Sequence, residues 1–438
     1  MPDTEGPDKK EPGKREFMRE KIVKQPLSKR QLAKRGAAFL CMAVLFGAIA
    51  AVSFVLFKPL ADRYLGQNAA EESSSIMFTK DEPDTAPAET IPETTAPDEK
   101  EKNVEEAVEK ALSEYTFSME DLNDLYNTIR ETGQLADKGI VTVRSGKADV
   151  DLFGNPVENT GDYAGAVIAK TSGEFLIFTC ADAVRQADSI SITFFDGTTA
   201  AGESKQVDEV LNMAVVSVKA EALEAEVQRE IKVLPLGNSY SVKAGDFVIG
   251  AGSPAGVVHS TTYGTVSYIA RNVQMTDGVA RLLYADISSN SRMGTFLMNT
   301  SGEIIGWTTD VYKTEDSGNG ATAVSISDYK AVLEKMTNGL QAPYFGVKGQ
   351  EVNETMNQSG IPAGVYVVES VAGSPAYDAG IQNGDIITMY GEKEITTFKE
   401  LQNQIENSQC GASVTVKVMR KGRDTYTEIE YPVMIRAR

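Results

Sequence analysis

The sequence predicts a mainly β chain of folded domains carried behind one apolar helix near its N-terminus. Three observations lead there. A chain of 438 residues with 42% apolar side chains can fill two or three ordinary domain cores. From Gly139 onward, short β-type runs follow one another between Gly, Asp and Asn turns: GIVTV, AGAVIAK, EFLIFT, SISITFF, MAVVSV, DFVIGAG, GTVSYI and EIIGWT. Many short strands at this spacing predict a barrel or paired barrels. Finally, 22 uncharged residues, Gly36–Phe57, lie between Arg35 and Lys58. As a helix rising ~1.5 Å per residue they cover the ~30 Å hydrocarbon core of a bilayer.

Composition removes several functions. Forty-three Lys and Arg against 62 Asp and Glu leave a formal charge of -19, which repels phosphate backbones and argues against a nucleic-acid partner. Cys41, Cys180 and Cys410 are too few and too scattered for a disulfide framework or a structural zinc site, and no cofactor is implied. His259 is the single histidine, so any imidazole base must be that residue.

In chain order, residues 1–35 carry eleven Lys and Arg, whereas only Lys58 and Arg63 follow the span before acidic sequence begins. That asymmetry puts a basic tail in the cytoplasm and everything after the 36–57 helix outside, in a single-pass protein of the cell membrane. A cleaved signal peptide is the competing reading, but its apolar region is shorter, about 7–15 residues, and ends at small residues, not at Lys58-Pro59-Leu60. Residues 58–102 read as a spacer. Between Glu71 and Lys102 ten acidic and three basic residues stand among repeated Thr, Pro and Ala with no apolar period, so an extended, self-repelling segment is expected. Helical spacing of Leu122, Leu125, Tyr126 and Ile129 after the N-cap candidate Ser118 then leads into the first domain, 103–340.

The stretch LPLGNSYSVKAGDFVIGAGSPAGVVHSTTYGTVSYIAR (234–271), with LMNTSGEIIGW (297–307), resembles the HtrA (DegP-like) trypsin-type serine proteases. The resemblance runs from about Gly139 to the C-terminus and implies a trypsin-like double β-barrel. It also implies a Ser-His-Asp triad, in which histidine takes the serine proton and aspartate orients the histidine. Here the matching positions are occupied differently. The family histidine aligns with Asp182 in Ile177–Val184, the family aspartate with Asn212 in Asp208–Val216, and the family serine with Met293 in Ser291–Leu297. A thioether cannot attack a carbonyl, and Arg292-Met293 makes the turn for the oxyanion hole bulkier. A shifted register would offer Ser291 as nucleophile, but with no histidine at Asp182 to activate it. His259 then reads as a loop residue at the mouth of a strand, and Cys180 as core filling at the end of one. The resemblance therefore implies a catalytically degenerate member.

Residues 341–438 resemble an HtrA-type PDZ domain, carried by PYFGV, by the pattern SPA-x-x-AG-x-x-x-GD-I-I from Ser374 to Ile387, and by ASVTVKVMRKG. An α+β fold is implied. In that family the apolar-Gly-apolar loop receives a peptide's terminal carboxylate on backbone N–H groups, and the matching residues are Phe345, Gly346 and Val347. Gly346→Val is expected to block the carboxylate without unfolding the domain. Phe398, Leu401 and Ile405 lie on one helix face, as a wall of the peptide groove or as plain core.

The sequence thus points to a membrane-anchored pseudoprotease. Its PDZ domain would capture exposed C-termini or unfolded segments in envelope protein quality control, as a homotrimer or in a mixed trimer with an active homologue. An active HtrA-like endopeptidase is the alternative. The topology is testable: protease added outside intact cells should cut between Glu71 and Lys102 and release the folded domains, and cleavage within residues 1–35 instead would reverse the orientation.

Overall fold

The computed structural model describes residues 75–81, 118–150, 156–310, 312 and 320–438, all within one compact unit, Ser74–Arg438. The basic tail, the Gly36–Phe57 span and most of the spacer lie outside these residues. Among the described residues no helix is long and apolar enough to cross a membrane.

Helix α1, Met119–Asp137, opens on the expected cap. Ser118 Oγ accepts the Asp121 N–H at 3.2 Å while Asp121 Oδ2 accepts the Ser118 N–H at 2.7 Å, so two orphan donors of the first turn are satisfied reciprocally. Its apolar stripe is not fully covered, because Leu125 and Tyr126 remain exposed and only Gly133 and Ala136 are buried.

Seven antiparallel strands follow: β1 (Ile140–Val150), β2 (Pro156–Lys170), β3 (Glu174–Thr179), β4 (Ser189–Thr193), β5 (Thr199–Ala201), β6 (Glu203–Asp208) and β7 (Met213–Lys219). They pair in the order β5-β4-β1-β2-β3-β7-β6. A short helix α2 (Ala225–Glu230) leads to β8 (Phe247–Gly252), β9 (Ser260–Met275), β10 (Gly278–Ala285), β11 (Thr295–Met298), β12 (Ile304–Thr308) and β13 (Ala321–Ser325). These six close a barrel, β10-β13-β12-β11-β8-β9.

The run EFLIFT explains how the two layers meet. Alternate side chains of a strand point to opposite faces, so a strand apolar throughout must be covered on both. In β3, Phe175 and Ile177 enter the core of the first sheet while Leu176 and Phe178 enter a second core. Strand β7 divides likewise, Ala214, Val216 and Val218 against Met213 and Val215. The second core is shared with the barrel: Phe178 meets Phe296 with centroids 5.5 Å apart and Trp307 at 5.7 Å, and Trp307 meets Tyr329 at 5.6 Å. Tilted and edge-to-face contacts of this kind fix two layers in one register as well as burying area.

After α3 (Lys330–Thr337) comes the C-terminal domain: β14 (Pro343–Tyr344), β15 (Val347–Glu351), α4 (Glu354–Gln358), β16 (Val365–Ser370), α5 (Pro375–Ala379), β17 (Ile386–Tyr390), β18 (Lys393–Glu394), α6 (Phe398–Glu406), β19 (Ser413–Lys421), β20 (Tyr426–Met434) and β21 (Arg436–Ala437). Its sheet runs β15-β16-β17-β19-β20, with β18 on β17 and a separate β14-β21 pair. Strand β15 is an edge of that sheet.

The spacer expectation needs correction at residues 75–81, which dock against α3. The Ile76 N–H donates to Asn338 Oδ1 at 2.9 Å, the Phe78 N–H donates to Glu334 Oε2 at 2.9 Å, and both apolar side chains pack on the shared core. Asp81 pairs with Lys330 at 2.7 Å, both side chains under a tenth exposed, and accepts a hydrogen bond from Ser327 Oγ. A short apolar run, Ile76-Met77-Phe78, is invisible in a composition dominated by acids, yet Ile76 and Phe78 suffice to seat one extended strap. Removing one partner of a buried pair leaves the other charge desolvated. Asp81→Ala should therefore destabilise the fold by about 3 kcal/mol, and adding Lys330→Met should recover most of that. Denaturant titrations of the two variants measure it, and an unchanged midpoint for the single variant would detach the strap from the fold.

Candidate functional site

The three positions matched to the family triad sit at strand ends. Asp182 lies in a single turn just after β3, Asn212 in the turn between β6 and β7, and Met293 in the loop before β11. Asp182 is paired with Arg185 at 3.0 Å. Asn212 holds a left-handed backbone, φ +51°, and its buried Oδ1 accepts no hydrogen bond. The Met293 N–H, which an oxyanion hole would need free, donates to Asn290 Oδ1 at 3.1 Å, and the Met293 carbonyl accepts the Ala164 N–H at 2.6 Å. Gly294 then passes tightly between elements. Its carbonyl accepts both the Ser253 N–H at 2.9 Å and Ser253 Oγ at 2.8 Å, and at φ +90° a Cβ there would stand 3.0 Å from the Ala164 carbonyl, so the loop is pinned on both sides.

Of the candidates, Asn212, Ser291 and Cys180 line one small pocket with Phe178, Thr179 and Gly294, while Asp182 and Met293 do not. The volume open there is about 10 Å³, enough for one water at most. Ser291 Oγ donates to Asp310, just past β12, and His259 is elsewhere, its Nδ1 3.1 Å from Asp137 Oδ1 at the end of α1. Hydroxyl and imidazole thus have different partners. Burial pushes the Cys180 thiol up to about 11, so the nucleophilic thiolate is suppressed at neutral pH. A larger hollow of about 450 Å³ lies alongside, lined by Pro254, Gly256, Thr261, Thr262, Ser288 and Asn290.

In the C-terminal domain the backbone donors of Phe345, Gly346 and Val347 are taken from within the chain. Asp277, at the tip of the β9–β10 hairpin, accepts the N–H of Phe345 at 2.8 Å, of Gly346 at 2.6 Å and of Val347 at 2.9 Å. Its own N–H donates to the Val347 carbonyl at 2.7 Å. Burial pushes the Asp277 carboxyl above its usual range, against the pull of Arg438 and the three backbone donors. Leu401 and Ile405, placed in the sequence reading as groove wall or core, are fully buried in the domain core with Phe398. The covered face of α6 meets β10 instead of solvent: Gln402 Oε1 accepts the Val279 N–H at 3.3 Å, and Val279 packs on the same core. The expectation for Gly346→Val is also corrected. At φ +90°, a Cβ on Gly346 would stand 2.0 Å from Ser374 Cβ, so that substitution strains the loop itself.

The family comparisons divide the chain at the same place as the fold. A Trypsin-like peptidase domain matches residues 164–306 and a PDZ domain matches 343–430. The chain is 26% identical over 340 residues to Serine protease Do-like HtrA of Bacillus subtilis (strain 168), covering 72% of this chain and 74% of that one. It is 28% identical over 366 residues to the Putative serine protease HhoB of Synechocystis, covering 76% and 85%. The chain joins a trypsin-like peptidase domain to a PDZ domain and is similar to HtrA-type serine proteases. A solved HtrA-type protease, AlgW with decapeptide, shares the fold at a TM-score of 0.50 and 18% identity, over 71% of this chain and 98% of that one.

In this chain the sequence reading missed three residues that build the sites: Asp277, Asp310 and Arg438. Arg438, almost wholly buried, reaches Asp208 at 3.3 Å and donates through Nε to the Pro343 carbonyl at 3.1 Å, closing the C-terminal domain onto the first sheet. Thr-Asp-Gly at 276–278 reads as an ordinary hairpin turn, which it also is. Iodoacetamide at pH 7.5 should leave Cys180 unmodified in the folded protein and label it fully in denaturant, read by peptide mass spectrometry. Rapid native alkylation would contradict the pocket's closure.

Proposed function

We propose that this chain is a membrane-anchored, noncatalytic HtrA-family protein whose PDZ domain captures C-terminal peptides or unfolded segments outside the cytoplasm, as an adaptor in envelope protein quality control. The observation that carries the reading is the occupancy of the three triad-matching positions: Asp182 tied to Arg185, Asn212 with an unpartnered buried oxygen, and Met293 with its N–H held by Asn290. No serine–histidine pair is assembled among the described residues, since Ser291 and His259 contact different carboxylates. The same proposal assigns 103–340 to the protease-like body and 341–438 to the PDZ module; matches to a Trypsin-like peptidase domain over 164–306 and to a PDZ domain over 343–430 support it. The 36–57 helix would hold the protein at the membrane, consistent with the word periplasmic in the names of relatives such as the DegP-like endoprotease of Hahella chejuensis. Assembly as a homotrimer, or as a mixed trimer with an active homologue, belongs to the same proposal.

The competing reading is an endopeptidase using Ser291. It draws on the relatives' names as serine proteases and on the hydrogen bond from Ser291 to Asp310. A carboxylate is a much weaker base than imidazole toward a hydroxyl, and general-base assistance contributes roughly 10²–10⁴-fold. The purified protein should therefore neither label with a fluorophosphonate nor cleave unfolded casein, and Met293→Ser alone should not restore turnover, because groups that act as a unit fail together. Labelling or cleavage abolished by Ser291→Ala would overturn the noncatalytic reading.

A further inference from the structure

We propose that the β9–β10 hairpin closes the PDZ peptide site in cis, with the Asp277 side chain standing where the terminal carboxylate of a bound peptide would stand. This inference rests on the peptide-capture reading above and adds that capture requires the hairpin to be displaced.

The substitution is chemical as well as spatial. A C-terminal carboxylate offers two oxygens to a ring of backbone donors, and Asp277 offers the same: Oδ2 to Phe345, Oδ1 to both Gly346 and Val347. Charge-assisted bonds to successive N–H groups are the strong class of hydrogen bond, roughly twice neutral ones. A peptide joining the open edge of β15 also exchanges backbone bonds with it, and the Asp277 N–H already donates to the Val347 carbonyl at 2.7 Å. Farther along the edge Gln274 Nε2 lies 3.4 Å from Gln350 Oε1. On the other wall, Val279 packs on the domain core and its N–H is held by Gln402 of α6. Gly278 fits because it has no side chain, since a Cβ there would come within 2.6 Å of Gln402 Cδ. The carboxylate loop and the helix wall are thus both met by one hairpin of the barrel, which reaches the edge through the Asp277 and Gln274 bonds beside a cavity of about 400 Å³ lined by Gln274, Val279, Gly349, Gln350 and Phe398. Asp277 adopts φ +65° at the tip, a backbone that non-glycine residues rarely hold, and is only 1% exposed.

A tethered ligand competes at an effective concentration that for short connections is on the order of millimolar. Apparent affinity for an external peptide falls by the fraction of molecules in which the site is open. The site is therefore selective for chains that end in a free carboxylate and bind well enough to exceed the internal one.

The test is a titration of the full-length protein, wild type and Asp277→Ala, against labelled decapeptides of randomised sequence ending in Val, Leu, Ile or Phe, prepared as free acids and as C-terminal amides. Anisotropy should show the free acids binding the variant at least tenfold more tightly than the wild type, with the amides gaining little. Asp277→Asn, which keeps one acceptor oxygen and loses the charge, should gain less than Asp277→Ala. Equal free-acid affinity for wild type and both variants would overturn the closure while leaving peptide capture standing. No binding to any of the three would overturn both. An equal gain for acids and amides would also overturn the closure, since it would report loosening of the domain and not release of a carboxylate site.

Discussion

A buried carboxylate joins the two halves of the described fold. Asp277 is covered on all sides, and an ionised group removed from water is tolerated only when its oxygens are paired. Three backbone N–H groups of the PDZ loop do this, and Arg438 adds favourable charge to the same junction while pairing with the fully buried Asp208. Each side needs the other. Without Asp277 the loop would present three donors to an apolar surrounding, and without the loop Asp277 would be a desolvated charge. Placement of the PDZ domain against the barrel follows from that mutual requirement, and so does the contact of α6 with β10.

The protease-like body is held by different means. Its cohesion comes from β3 and β7, which feed two cores at once, and from the contacts of Phe178, Phe296, Trp307 and Tyr329 across the shared one. None of Asp182, Asn212 or Met293 belongs to those cores, for all three sit in turns and loops at strand ends. Substitution at those positions and stability of the barrels are therefore separable. Asn212 is the locally unfavourable residue among them, a buried oxygen with no partner at a left-handed backbone.

What the sequence made legible follows the same division. Strands apolar by alternation or throughout, such as EFLIFT at Glu174–Thr179, were readable because burial on one or both faces writes itself into local order. The Phe345-Gly346-Val347 loop was readable because it needs glycine at a fixed place. The contacts that decide how the site behaves were not. Asp277 looks like a turn residue, Ile76 and Phe78 vanish in an acidic stretch, and Arg438 looks like a solvated terminal charge. Each acts on a partner 68 to 262 residues away, and no local pattern encodes such a pairing. Leu401 and Ile405 could not be resolved between groove and core for a related reason: one helix face serves either role until its cover is known.

The claim that Asp277 holds the PDZ loop is tested most directly by amide hydrogen exchange of Phe345, Gly346 and Val347 in the intact, peptide-free protein. Exchange as slow as that of the paired amides of β16 is the predicted result, because all three N–H groups are buried and bonded. Exchange at the rate of an unprotected surface loop would show the site standing open and would contradict the account.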